Sequence, residues 1–395
     1  MSEVSQTVGI LGGGQLARML ALAAAPLGVR CLAVDQAPDA CAGQIAELVQ
    51  AEWHDFAGLE PFAHRIDVAT FDFENVPAET AEWLAERTRV FPNPRALTVA
   101  QDRLTEKNLF RACGLDTPAF VPVDTRPGLD EALGRIGAPA ILKTRRFGYD
   151  GKGQFRIKSP ADADAAWRAL GAHTGRAGLI LESFVPFVAE VSVVAVRARD
   201  GDFRTWPLTR NWHVDGILSA SLAPAPADDA IAGAAFAHAR AIAEELDYVG
   251  VFALELFVSA DAIHGQELRG QRLLGNEMAP RVHNSGHWTL DGAVTSQFEN
   301  HLRAVLGLPL GDTSARGVSC MLNWIGELPD RDALLAVPDA HWHDYGKSPR
   351  PGRKVGHATV CAGDAGTLAQ RLQRAARALG REAQVQPVVQ ALAAT

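Results

Sequence analysis

The chain has 395 residues, enough for two or three domains with sizeable cores. Hydrophobic residues make up 47% and charged residues 21%, proportions ordinary for a soluble globular protein, and no apolar run approaches the roughly 18 residues of a membrane span. The net charge of −8 excludes a broad nucleic-acid-binding face and leaves room only for a local basic patch. The N-terminal residues lack a basic region, and their apolar stretch is broken by Gly12-Gly13-Gly14, which argues against a signal peptide. Cys31, Cys41, Cys113, Cys320 and Cys361 are odd in number and scattered without a C-x-x-C pair, as expected of reduced thiols and not of a zinc site. Together these features read as a cytoplasmic protein.

Residues 8–11 form a short apolar strand that runs into Gly12-Gly13-Gly14 and a helix ending near Pro26 and Gly28. A second strand over 30–34 ends at Asp35, so the chain opens as βαβ. Gly12-x-Gly14-x-x-Ala17 with an acid after the second strand matches the dinucleotide fingerprint, which keeps a nicotinamide or flavin enzyme open as a reading. A further strand over 67–73 ends in Glu74-Asn75-Val76-Pro77, and in a doubly wound sheet Glu74 and Gln15 face one crevice. Glu74 reads equally well as a helix N-terminal charge before 77–85. Phe91-Pro92-Asn93-Pro94 is a rigid linker that closes the first domain near residue 100.

A helix is expected over 102–112, extended chain over 118–127, a helix over 129–136 and a strand over 138–142 leading to Lys143. Then comes Gly148-Tyr149-Asp150-Gly151-Lys152-Gly153-Gln154, whose glycines let the backbone turn with positive φ and approach another molecule. Exposed amides in such a turn suit phosphate oxygens, and Lys143 and Lys152 add charge, although Asp-Gly is also an ordinary hairpin turn. Strands are expected over 178–184, 190–196 and 251–258, with helices over 161–170 and 230–246. Glu255 interrupts an apolar run, and Glu277 with Asn276 ends the next strand over 273–277. Paired buried carboxylates require a cation or a basic neighbour; with the glycine flap in the same domain, magnesium and a nucleotide fit better than salt bridges to Arg281 or Lys143.

The polar run 280–288 offers Arg281, Asn284 and Ser285 as anion and substrate contacts, and its two histidines lack a metalloprotease pattern. A helix over 297–306 closes the second domain near 310. Short strands follow over 317–323 and 340–344, with Lys347, Arg350, Arg353 and Lys354 crowding the loop 346–356, where a phosphate-bearing substrate would give them a purpose. The last helix expected is 367–379, before an alanine-rich tail.

In chain order, Gly12–Met19, Phe73–Pro77, Asp102–Lys107, Gly148–Gln154, Asn276–His287 and Arg350–His357 resemble the ATP-grasp superfamily, and within it the 5-(carboxyamino)imidazole ribonucleotide synthase family of purine biosynthesis. The resemblance covers nearly the whole chain. It implies a mixed α/β and α+β protein: a Rossmann-like domain over 1–100, an ATP-grasp domain over 101–310 and a small mixed C-terminal domain over 311–395. It implies that Arg103, Lys143 and the flap residues Gly148, Tyr149, Asp150, Gly151, Lys152, Gly153 and Gln154 cover the phosphates of ATP, with His213 beside them. Glu182, Ser183, Phe184 and Val185 would line the adenine slot, mostly through backbone groups, and Glu190 would take the ribose. Glu255 and Glu277 would hold Mg2+ with Asn276 beside them; Glu267, in the polar segment between these acids, is the competing ligand. Gln15, Leu16, Glu74, Asn75, Tyr149, Arg281, Asn284, Ser285, Lys347, Arg353 and Lys354 would bind aminoimidazole ribonucleotide, and Asp150, Arg281 and Lys354 are the catalytic candidates. The implied reaction is carboxylation of the ribonucleotide by bicarbonate through carboxyphosphate, in a homodimer. Another ATP-grasp ligase, acting on formate or an amino acid, and a nucleotide-binding regulator without turnover are the alternatives.

Overall fold

A computed structural model describes residues 6–148, 152–175, 177–259 and 272–394. Tyr149, Asp150, Gly151 and Glu267, all singled out above, lie outside the described residues. The first segment contains strands β1 (Thr7–Leu11), β2 (Arg30–Asp35), β3 (Glu47–Gln50), β4 (Val68–Phe71) and β5 (Arg89–Val90), in the parallel order β3-β2-β1-β4-β5. Helices α1 (Gln15–Ala24), α2 (Phe56–Ala63) and α3 (Ala78–Ala85) cover its faces. The order reverses between β1 and β4, so the crevice of this doubly wound sheet opens at the turn after Leu11 and at the residues after Phe71.

Two helices lead onward, α4 (Pro94–Ala100) and α5 (Arg103–Ala112), the latter capped by the Asp102 carboxylate on the Leu104 amide. Strand β6 (Phe120–Val123), helix α6 (Arg126–Ile136), strands β7 (Ala140–Thr144) and β8 (Gln154–Ile157), helix α7 (Ala163–Leu170) and strand β9 (Leu179–Ser183) make a four-stranded antiparallel sheet ordered β6-β9-β7-β8. The stretch expected to stay extended to residue 127 instead enters α6 at Arg126. The Thr125 hydroxyl caps the Gly128 amide there, and Pro127 fits the first turn, where no amide is needed.

The large sheet begins with β10 (Phe187–Arg197), β11 (Phe203–Thr205), β12 (Thr209–Val214) and β13 (Ile217–Ala223). After α8 (Asp229–Glu245) come β14 (Gly250–Ser259), β15 (Arg272–Ala279), α9 (Thr289–Gly292) and α10 (Gln297–Leu306). The C-terminal segment adds β16 (Val318–Ile325), α11 (Arg331–Leu335), β17 (Ala340–Asp344) and β18 (Lys354–Ala362), then α12 (Ala365–Leu379) and α13 (Glu382–Ala393). Its strands continue the same sheet, ordered β15-β14-β10-β12-β13-β16-β18-β17, because β16 pairs with β13. Two expectations are corrected here. Lys354 is the first residue of a strand and not a loop residue, and the alanine-rich tail is a helix that buries Val385, Val388 and Leu392 against the C-terminal core.

Period-two alternation sorts the large sheet's faces. Phe252, Leu254, Leu256 and Val258 pack under α8, which sends Glu255 and Phe257 to the opposite face. Helix α10 ties the sheets together: Phe298, Leu302 and Val305 share a core with Val8 and Ile10 of the first sheet, Leu16 of α1, and Val194 and Val196 of β10. His301 of α10 accepts from the Val251 amide on Nδ1 at 3.0 Å and meets Thr70 Oγ1 with Nε2 at 2.7 Å.

Burial pulls His301 down to about 3 from its ordinary 6.5, so the folded chain keeps it neutral where the unfolded chain takes a proton. Stability should therefore fall as pH drops from about 6.5 towards 3, by about 1.4 kcal/mol per pH unit for this one ring. Chemical denaturation across that pH range checks it, and His301→Gln should flatten the slope.

Candidate functional site

The dinucleotide reading fails at the first turn. The Gly13 amide donates to Asp35 Oδ2 at 2.7 Å and the Gly14 amide to Asp72 Oδ2 at 2.5 Å. A side chain on Gly14 would place Cβ 2.6 Å from that Asp72 oxygen, so the glycines serve the chain's own carboxylates. Burial pushes the Asp72 carboxyl up to about 6, even with the Gly14 amide opposing the shift. A pyrophosphate would meet acids where the fingerprint requires free donors.

What the first sheet does present is a pair of long-range contacts. Gln15, at the start of α1, receives the ammonium of Lys347, and Glu74 binds Arg281 Nε at 2.5 Å. Burial alone would raise Glu74, but the Arg281 guanidinium holds its carboxyl below the usual range. Glu74 is therefore a crevice residue, and the first-turn acid of α3 is Glu79. Leu16, expected on the substrate, turns its side chain into the core, leaving only its backbone to a ligand.

A second crevice lies between the small sheet and the large one. Lys143 on β7 and Glu182 on β9 pair at 2.8 Å, both buried. Their strands are adjacent and antiparallel, with Lys143 opposite Ile180 and Ile141 opposite Glu182, which brings the two ends onto one face. Arg103 opens α5; its Nη1 donates to Glu277 Oε2 at 2.8 Å and its Nη2 to the Gly148 carbonyl at 3.5 Å, at the base of the glycine flap. The bidentate pair of Arg145 with Asp102, at 3.0 and 2.6 Å, ties that base to the same helix end. Gly153 has φ +71, and a side chain there would strike Thr144 Oγ1 at 2.6 Å, so the flap's return needs glycine. Lys152 and Gln154 follow on its exposed side. Ser183 Oγ accepts from the Ala119 amide at 3.0 Å, Arg156 lies over the Phe184 ring at 4.3 Å, and Val185 is buried.

On the large sheet's opposing face Glu255 stands in register with Glu277, and Ser192, two residues from Glu190, stands opposite Glu255. Glu190 Oε2 lies 3.1 Å from His213 Nδ1, and against the effect of burial that carboxylate raises the ring above its ordinary value. Burial, with Glu277 and Glu190 nearby, pushes Glu255 up to about 7. Its neighbour is neither Arg281 nor Lys143: the His283 ring lies 3.5 Å away, kept neutral by burial, and His213 supplies the charge that opposes the shift, while Glu277 takes Arg103. Two facing carboxylates, with Asn276 at the register shift of β15 beside Glu277 and a cationic clamp across the gap, form an oxygen-donor set suited to a hard divalent cation.

Four residues here have no site role in the sequence reading: Asp72, Glu106, Lys107 and His283, the last set aside there for want of a metalloprotease pattern. Arg103, Glu106 and Lys107 follow one another at i, i+3 and i+4, the spacing of one helix face, which is the signal that could have found them. His283 accepts on Nδ1 from the Ser285 amide at 3.3 Å, which fixes its proton on Nε2, facing Glu255. Ser285, expected on the substrate, is fully buried, and its hydroxyl engages Ser192 at 2.8 Å and His283 Nδ1 at 2.9 Å. Beside it Asn284 is buried with neither amide atom hydrogen-bonded among the described residues, an opening for a polar ligand. Of the cations on the 346–354 segment, Lys347 reaches Gln15, Arg353 folds back on Ser348 Oγ at 2.9 Å, and Lys354 acts electrostatically on both Glu74 and Glu255. Lys354 therefore stands where the two crevices meet. Asn75 is half-buried beside Glu74.

Residues 5–101 match the ribonucleotide synthetase preATP-grasp domain, 108–298 the ATP-grasp domain and 319–371 the phosphoribosylaminoimidazole carboxylase C-terminal domain. The N5-carboxyaminoimidazole ribonucleotide synthase of Pseudomonas aeruginosa is 48% identical over 365 residues, covering 92% of this chain and 97% of that protein. The crystal structure of N5-carboxyaminoimidazole ribonucleotide synthetase from Thermus thermophilus superposes with a TM-score of 0.87 at 52% identity, over 94% of this chain and 98% of the other. That of the Aspergillus clavatus synthase, in complex with ADP and 5-aminoimidazole ribonucleotide, gives 0.86 at 31% identity over 95% and 99%.

Proposed function

The chain belongs to the N5-carboxyaminoimidazole ribonucleotide synthase family of ATP-grasp ligases, and from that premise we propose how its residues divide the work. The reaction is the ATP-dependent carboxylation of 5-aminoimidazole ribonucleotide to N5-carboxyaminoimidazole ribonucleotide in purine biosynthesis. Lys143, Arg103, His213 and the flap 148–154 bind the phosphates, residues 182–185 the adenine, mostly through backbone groups, and Glu190 the ribose. The observation that carries this assignment is the opposition, across one cleft, of the Lys143 and Arg103 cations to the Glu255–Glu277 pair. Glu255 and Glu277 would hold Mg2+, which when bound neutralises charge on the transferring phosphoryl group.

Bicarbonate attacks the γ-phosphate, forming carboxyphosphate as ADP leaves. Carboxyphosphate breaks down to phosphate and CO2 while the flap keeps water out. The exocyclic amine adds to CO2 and gives up a proton, with Asp150 placed to orient the amine or take that proton. Lys347, Arg353 and Lys354 grip the ribonucleotide phosphate; Gln15, Glu74, Asn75 and Tyr149 take the sugar and imidazole. Arg281, neutralised on one side by Glu74, and Asn284 contact the anion being transferred. We also place the protein in the cytoplasm as a homodimer, with domain limits near 100 and 310.

ADP release should require ribonucleotide and bicarbonate together, and Asp150→Asn should cut carboxylation while ADP binding persists. Equal release without either substrate would count against the assignment, as would loss of ADP affinity in that variant.

A further inference from the structure

Lys107 is fully buried in α5 and has no part in the assignments above. Its ammonium lies 3.4 Å from Glu182 Oε1, while Lys143 holds Glu182 Oε2 at 2.8 Å, so two lysines share one carboxylate. Lys107 also donates to the Asn276 carbonyl at 3.2 Å. On the same face of α5, Arg103 binds Glu277 and the Glu106 carboxyl accepts from the Met278 amide at 2.6 Å. One turn of helix thus touches three consecutive residues of β15 and one of β9. It links the strand carrying Glu277 to the strand paired with Lys143.

Arg103, Lys107 and Lys143 meet three carboxyls, but Arg103 is taken by Glu277 and Glu106 accepts from the Met278 amide, so both lysines fall to Glu182. Lys143 with Glu182 alone would be a complete buried pair, and a second buried lysine is costly unless it has work to do. Burial pulls Lys107 below its ordinary value; burial would raise Glu182, but Lys107 and Lys143 hold it down at about 2. Glu182 is therefore ionised and divided between them.

We propose that Lys107 is a positioning residue: its charge, 3.4 Å from Oε1 of Glu182, prevents that carboxylate from fully neutralising Lys143, which then presents its charge to the nucleotide phosphates. This rests on the reading of Lys143 as a phosphate ligand. Lys107 itself is fully buried.

Calorimetric titration with ADP, steady-state kinetics and melting curves on the full chain test it. Lys107→Met should weaken ADP and raise the KM for ATP by about tenfold, with kcat and the ribonucleotide KM near wild type. Glu182→Gln, which frees Lys143, should tighten ADP, and the double variant should return to within about threefold of wild type. Additive losses in the double variant, or weaker ADP binding by Glu182→Gln, overturn the proposal. Should Lys107→Met fail to fold, Glu182→Gln alone decides it. Lys143→Ala separates the two levels. If it leaves ADP affinity unchanged, the phosphate-clamp reading falls and takes this inference with it; if it weakens ADP while Lys107→Met does not, only the role of Lys107 falls.

Discussion

Glu277→Gln should lower turnover by about a thousandfold or more, with ADP titrated in the absence of divalent cations still bound. Glu277 stands in register with Glu255 on the neighbouring strand, so the two carboxylates form one acidic spot. Removing one charge leaves the site a single acid, too weak a donor set to localise a divalent cation beside the phosphates. The substitution also deprives Arg103 of its 2.8 Å partner, freeing that guanidinium for the nucleotide. The two effects oppose each other for binding, which is why ADP affinity survives. For the chemical step they do not cancel, because charge developing on the transferring group needs compensation that Arg103 alone cannot reach around. Wild-type rates in this variant would remove Glu277 from the metal site. Glu267 would then be the residue to test.

Lys354→Ala should raise the KM for the ribonucleotide by about thirtyfold and lower kcat, with the KM for ATP within about threefold of wild type. A charge-assisted contact to phosphate is worth more than the repulsion relieved among Lys347, Arg353 and Lys354, since that repulsion also vanishes when the dianion binds. The fall in kcat follows from the position of Lys354, whose field reaches Glu74 in one crevice and Glu255 in the other. A rise in the ATP KM equal to that for the ribonucleotide would reassign Lys354 to the nucleotide.

Much of this site was legible before any coordinates. Glu255 interrupts the apolar run Val251–Val258, and the cost of burying a charge there already points to a cation or a basic neighbour. Gly153 carries the positive φ that the glycine spacing demanded. The failures share a cause. The Gly12–Gly14 turn has the sequence of a pyrophosphate cradle, and the arrival of Asp72, just after β4, beside Asp35 turns it into a carboxylate site. Ser285 looked like a ligand group because it sits in a polar run, whereas packing against β10 commits its hydroxyl to Ser192. Lys107 shares a helix face with Arg103 and Glu106 in the sequence, but a lysine on such a face ordinarily points to water, so nothing local showed that the face is buried.

By itself, the sequence determined the kinds of element, the glycine-dependent turns, the alternation that gathers acids on one sheet face and, through the ordered motifs, the family. Only the tertiary structure decided which charge meets which. Arg103 finds Glu277 across 174 residues, Glu74 finds Arg281 across 207 and Gln15 finds Lys347 across 332. Local periodicity records which way a side chain points. The partner it meets depends on strand register and on how separate sheets pack, and those are set by the whole buried core at once.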